Sequence, residues 1–302
     1  DLPLNVSRSF LQNDRDVAKI SNHIIKKVAD KLVDLFKNNR EEYNKFWPDI
    51  QIFIKYGCLR DEKFYDKIKD IIIFKNLKGE FVTLKDYLEA NKEKHENKVF
   101  YANDELKQSQ YIKMFKEYDL DAVILDCTLD DHFITFLEMH ENGVKFKRID
   151  SDISETLGSK TDENDTEAVE VNKTIEDVFK NALGENAPKI SVESLKNAET
   201  PAMILISEES RRMAEMSKMY AQSGMGFAGM FNEEKTLVIN NNNNIVKKLA
   251  EASKDDSKKE DVSFICEHIL DLAKIANKEL SADEMDKFLK RNNELLSKVI
   301  SL

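Results

Sequence analysis

Lys98-Val-Phe-Tyr-Ala-Asn-Asp-Glu-Leu106 opens a stretch, running to Ile149, in which short apolar runs alternate with helical periods. Val99-Phe100-Tyr101 is followed by a helical period from Leu106 to Tyr118. Ala122 to Leu125, Asp131 to Met139 and Val144 to Ile149 then repeat the alternation. Strand, helix, strand, helix, strand implies right-handed crossovers and a small parallel sheet of α/β type.

Upstream, Asn13 or Asp14 is placed to cap a helix whose apolar residues Val17, Ile20, Ile24, Val28, Leu32 and Leu35 recur every three or four positions. A second helix is expected through Tyr43, Phe46, Trp47, Ile50, Phe53 and Ile54, with Gly57 as its stop. Phe64 to Phe74 is read as a third helix, although the β-branched run Ile71-Ile72-Ile73 opposes it.

Downstream, Asp150 to Glu170 is rich in Asp, Glu, Ser and Thr and reads as a linker. An α+β unit follows. It is expected to contain a helix over Thr174–Leu183, strands at Ala202–Ile206 and Thr236–Ile239, and a helix from Glu208 to Ser223. Further helices are expected near Ile245–Ala252, Phe264–Ala276 and Asp283–Ile300. The last two carry stripes (Ile265, Ile269, Leu272, Ile275; Met285, Phe288, Leu289, Leu295, Leu296) that need a partner surface, and such a terminal pair often dimerises as a four-helix bundle. The fold expected is therefore helix-rich, α/β over 1–150 and α+β over 173–302, with an acidic linker over 151–172.

With 302 residues the chain can bury two cores. Its net charge of -11 argues against nucleic acid as the main partner, since phosphate binding needs clustered Lys and Arg. No apolar run approaches the ~20 residues of a membrane span. Cys58, Cys127 and Cys266 are odd in number and far apart, which opposes a disulfide framework and fits a reducing cytoplasm. The first residues lack a signal-peptide pattern.

Gly224-Met225-Gly226-Phe227-Ala228-Gly229 matches GxGxxG, but it follows a helix where a dinucleotide fingerprint must follow a strand. A glycine-rich helix stop opening into an apolar loop is the better reading. Met213, Met216 and Tyr220 share one helical face, which is either core or a surface adaptable to varied apolar partners. Asp130-Asp131-His132 has no second imidazole at i+4, so a surface or capping role is expected and no metal site. Arg8 stands in a polar loop where a guanidinium is ordinarily solvated, yet its charged planar fork also suits a transferring phosphoryl group.

The opening Asp1-Leu-Pro-Leu-Asn-Val-Ser-Arg8-Ser-Phe-Leu-Gln12 resembles the middle-domain loop of the ninety-kilodalton heat-shock chaperones. Lys45-Phe46-Trp47, Thr83-Leu84-Lys85-Asp86-Tyr87, Val99-Phe100-Tyr101, Asp130-Asp131 and the Phe288–Leu296 helix fall in the family's order, so the resemblance covers nearly the whole chain. It implies that Arg8 contacts the γ-phosphate of ATP and that Gln12 supports it. The family has Glu directly after this arginine, where the chain has Ser9. It also implies a client-binding helix at Met213, Met216, Met219 and Tyr220, continued by Met225 and Phe227 in the next loop.

On the same resemblance, Asp131 and His132 border the client surface, the family usually having an aromatic in place of His132. Met285, Phe288, Leu289, Leu295 and Leu296 lie on the closing dimerisation helix. The chain is then expected to be a piece, beginning partway through a middle domain and holding no cofactor itself. ATP and magnesium would be bound by the complete protein through its own N-terminal ATPase domain. The ending Val299-Ile300-Ser301-Leu302 lacks the acidic tail of eukaryotic cytosolic members, which favours a bacterial type. The expected function is an ATP-dependent chaperone, homodimeric and cytoplasmic, that binds unfolded or partly folded clients. The alternative is a non-enzymatic dimeric scaffold.

Overall fold

The computed structural model describes residues 15–151, 166–184, 187–222, 234–277 and 280–300. In chain order its elements begin with α1 (Arg15–Asn38), α2 (Arg40–Arg60), α3 (Glu62–Ile68), β1 (Ile73–Asn76), β2 (Phe81–Thr83), α4 (Leu84–Asn91) and β3 (Lys98–Ala102). Next come α5 (Ser109–Glu117), β4 (Val123–Ile124), α6 (Asp130–His140), β5 (Lys145–Arg148), α7 (Thr166–Leu183) and β6 (Lys189–Glu193). The rest are β7 (Ala202–Ile206), α8 (Glu208–Gln222), β8 (Lys235–Asn240), α9 (Asn244–Ala252), α10 (Lys259–Ala276) and α11 (Ala282–Ile300). They form two compact units, 1–99 with 123–146 and 100–122 with 147–302. The expected linker residues 152–165 lie outside the described residues, and α7 already covers 166–172.

In the first unit the helix ends follow side-chain chemistry. Asn39 caps α2 by accepting the Glu42 N–H, and Asp61 caps α3 by accepting the Lys63 and Phe64 N–H groups. Thr83 and Asp86 close a capping box that starts α4. The expected stop at Gly57 does not hold, because α2 runs on to Arg60. Gly57 serves a close approach instead: a Cβ there would sit 2.8 Å from Cε1 of Phe64. The third helix also ends earlier than expected, since after Ile68 a 3-10 turn (Lys69–Ile71) leads into β1, where Ile73 and Phe74 are buried. β-branching decides that segment. Tyr43 and Trp47 of α2 and Phe133 and Leu137 of α6 complete the core, and the Tyr43 hydroxyl donates to Ile71 O at 2.8 Å.

The sheet strands are mixed in direction. β1 pairs antiparallel with β2 (Ile73 opposite Thr83) and with β4 (Asn76 opposite Val123). β3 and β5 run parallel, as the alternation predicts: Lys145 N–H donates to Asn97 O and, further along both strands, Ile149 N–H donates to Tyr101 O.

In the second unit β8 lies between β6 and β7, parallel to the first and antiparallel to the second. Ile204, Leu237 and Ile239 meet Ile175 and Phe179 of α7, Val246 of α9, and Cys266 and Ile269 of α10 in one apolar cluster. After β8 the run Asn240-Asn241-Asn242-Asn243 is fully employed. Asn240 is buried, donates to Asn197 O and Thr200 O and accepts the Leu195 N–H, while Asn243 caps α9. β6 escaped the sequence reading because Lys189-Ile-Ser-Val-Glu193 offers only two apolar side chains.

Candidate functional site

α8 begins with Glu208 and Glu209, acids that suit the positive end of a helix dipole. Ala214, Ser217 and Arg211 face inward and are buried, whereas Met213 and Met216 are 42% and 49% exposed. Neither methionine is a core side chain, so the core alternative is removed for these two, while Met203 on β7 is buried. Met219 and Tyr220 lie in the helix, but their side chains are outside the described residues, as are Met225, Phe227 and the whole Gly224–Gly229 run. Arg8 and Gln12 also lie outside the described residues.

Arg211 is the residue that sequence reading missed. It is placed with the surface residues of an amphipathic helix by its charge, yet it is 2% exposed. Its Nη2 donates to Glu208 Oε1 at 2.7 Å, and Arg212 Nε donates to the same oxygen at 2.8 Å. Burial opposes ionisation of Glu208, but the Arg211 and Arg212 guanidiniums outweigh it and hold the carboxyl below its usual range. Glu208 at i and arginines at i+3 and i+4 were the available signal.

On α6, Asp131 and His132 are both exposed, and Met139, seven residues after His132 and on the same side of the helix as it, is a large exposed apolar side chain. The preceding Asp130 is turned inward: its carboxylate accepts from Lys55 Nζ at 2.5 Å and from the Cys127 N–H at 2.9 Å. Burial pushes this carboxyl up, against the pull of the Lys55 ammonium. His140 stacks on Phe136 at 3.9 Å, with its Nδ1 2.8 Å from Phe136 O. Among the described residues no three His, Cys, Asp or Glu are grouped to hold a metal ion.

The expected dimer residues of α11 divide into two sets. Phe288 and Leu295 are half-buried, and Phe288 stacks on His268 of α10 at 5.3 Å. Met285, Leu289 and Leu296 are exposed at spacings that share one helical face. α10 and α11 are joined by ion pairs: Lys274 with Glu284 at 2.8 Å, Lys298 with Asp261 at 2.9 Å, and Arg291 with both Asp271 and Glu267. Charge thus closes the hairpin on one side while its apolar side remains open.

No helix among the described residues is long and apolar enough to cross a membrane. The profile of the family described as Hsp90 protein matches residues 1–302. Chaperone protein htpG of Bacteroides fragilis strain YCH46 is 35% identical over 251 residues, covering 79% of this chain and 36% of that protein. Chaperone protein HtpG of Porphyromonas gingivalis strain ATCC 33277 is 33% identical over 248 residues, with the same coverages of 79% and 36%. Chaperone protein HtpG of Buchnera aphidicola is 26% identical over 238 residues, covering 74% of this chain and 37% of that protein. The chain therefore spans little more than a third of the length of these relatives.

Proposed function

Because the chain belongs to the Hsp90 protein family, we propose that the complete protein is an ATP-dependent chaperone and that this region supplies its client surface and its dimer contact. The observation that carries the reading is the exposure of Met213 and Met216 on a helix whose opposite face is buried. Methionine is unbranched and polarizable, so a pair of exposed methionines can adapt to apolar segments of many shapes. Asp131 and His132 on α6, and Met139 two turns further along it, would offer unfolded clients a separate contact on the first unit. Met285, Leu289 and Leu296 are the side chains a second copy would cover in a homodimer.

ATP and magnesium would be bound by a separate N-terminal domain of the complete protein. Arg8 would offer permanent positive charge to the γ-phosphate and Gln12 would support it, as the family resemblance implies. Transfer of the γ-phosphoryl group of ATP to water, with ADP as the leaving group, would supply the free energy for opening and closing the dimer. A cytoplasmic location fits three widely spaced cysteines, two of them buried and unpaired.

The reading is tested in the complete protein. Arg8→Ala should lower kcat for ATP hydrolysis by roughly ten- to a thousandfold with ATP affinity nearly unchanged. Unchanged turnover would remove the role of Arg8, and a complete protein without ATPase activity would favour a dimeric scaffold.

A further inference from the structure

Glu208 stands at the first position of the methionine-bearing helix α8, and its side chain is only 13% exposed. An acid placed there to complement the helix dipole needs no partner at all. Glu208 instead receives donors from three elements. Its Oε1 accepts from Arg211 Nη2 at 2.7 Å, Arg212 Nε at 2.8 Å and the Tyr101 hydroxyl of β3 at 3.0 Å. Its Oε2 accepts the backbone N–H of Arg148 on β5 at 3.2 Å.

The surroundings extend the same connection. Arg211 also donates to the Tyr101 hydroxyl. The Arg148 guanidinium grips Asp150 through Nε at 2.5 Å and Nη2 at 3.0 Å. The carbonyl of Asp150 accepts the N–H of Ile206 at 3.0 Å, at the end of the strand that leads into α8. Helix α8 is therefore held at its start by the parallel pair β3 and β5 as well as by β7.

Pairs at i+3 and i+4 within one exposed helix contribute little and fix no orientation relative to other elements. The bonds from Tyr101 and Arg148 are of a different kind, because they come from strands remote in sequence and converge on a desolvated carboxylate. We propose that Glu208 is a positioning residue that fastens α8 to β3 and β5 and so sets the presentation of the Met213–Met216 face. The functional half of this inference rests on the reading of that face as client surface.

Two variants of the 302-residue chain test it. Glu208→Gln keeps the shape of the side chain and removes its charge, and Tyr101→Phe keeps the ring and removes the hydroxyl that donates to Glu208 and accepts from Arg211. Hydrogen exchange of the α8 amides, melting temperature and titration with fluorescently labelled, reduced and carboxymethylated lactalbumin are read together. In Glu208→Gln the α8 amides should exchange about tenfold faster or more, as expected of a local opening, while those of α10 stay unchanged. Lactalbumin affinity should fall at least about fivefold, and Tyr101→Phe should show both changes to a smaller degree. Unchanged α8 exchange in a folded variant would overturn the fastening, and faster exchange with unchanged lactalbumin affinity would overturn the positioning role. If Glu208→Gln fails to melt cooperatively, Tyr101→Phe decides by the same two criteria. If the unaltered chain binds no lactalbumin, the client reading fails, and the exchange measurement still decides whether Glu208 fastens the helix.

Discussion

The Lys55 ammonium of α2 lies 2.5 Å from the Asp130 carboxylate of α6, and the two side chains are 2% and 5% exposed. Gln51 Oε1 accepts a second Lys55 hydrogen at 2.7 Å, and the Cys127 N–H meets the other carboxylate oxygen, so both charges are hydrogen-bonded beyond the pair. A buried charge that loses its partner is costly, whereas removing both charges is often close to neutral. Lys55→Met should therefore destabilise the chain by about 3–5 kcal/mol in urea unfolding. Adding Asp130→Asn, which still accepts the Cys127 N–H, should recover most of that loss. A cost below about 1 kcal/mol for the single variant would show that the pair does not tie α2 to α6.

The hairpin of α10 and α11 should loosen in acid. The hydrogen bond from Lys274, and after it those from Ser281, hold the Glu284 carboxyl at about 2, below its ordinary value of 4.5. Its folded-state pKa lies below the unfolded one, so its contribution is fully present above pH 4.5 and is lost as pH falls toward 2. The Glu284 side chain is half-exposed, so salt should weaken the effect. Hydrogen exchange at the start of α11 should rise over that window in the unaltered chain and rise less in Glu284→Gln. Identical pH profiles for the two proteins would contradict the assignment.

Exposure of Met285, Leu289 and Leu296 on one face of α11 predicts the oligomeric state. Leu289→Glu with Leu296→Glu would place charges where a second copy is expected, at a cost of several kcal/mol if they are buried. Sedimentation at micromolar concentration should show a dimer for the unaltered chain and a monomer for the variant. A variant that stays dimeric, or an unaltered chain that is monomeric, would contradict the dimer contact.

Long amphipathic helices were legible in the sequence because their apolar residues repeat over many turns: the stripe through Ile20, Ile24 and Leu35 does lie in α1. Short strands were less so. β2 and β6 have too few apolar residues to show a period of two, and Ile71-Ile72-Ile73 was decided by β-branching against a helical frame that continued from α3. Gly57 illustrates a different limit, since its role depends on Phe64 approaching from the next helix, a contact no local pattern encodes. The methionine face was visible by spacing, but whether it was core or surface depended on tertiary packing. The buried network around Glu208 was hidden for the same reason: an acid with two arginines at i+3 and i+4 has the pattern of a solvated helix pair, and only the fold brings Tyr101 and the Arg148 N–H onto the carboxylate.

The most direct test of the client surface is a binding titration of Met213→Ser with Met216→Ser against labelled, carboxymethylated lactalbumin, run beside a melting curve. Both side chains are exposed, so stability should change by no more than about 0.5 kcal/mol per site while lactalbumin affinity falls. A melting temperature lowered as by core truncation, at ~2–5 kcal/mol for each side chain, or an affinity equal to that of the unaltered chain, would contradict the account.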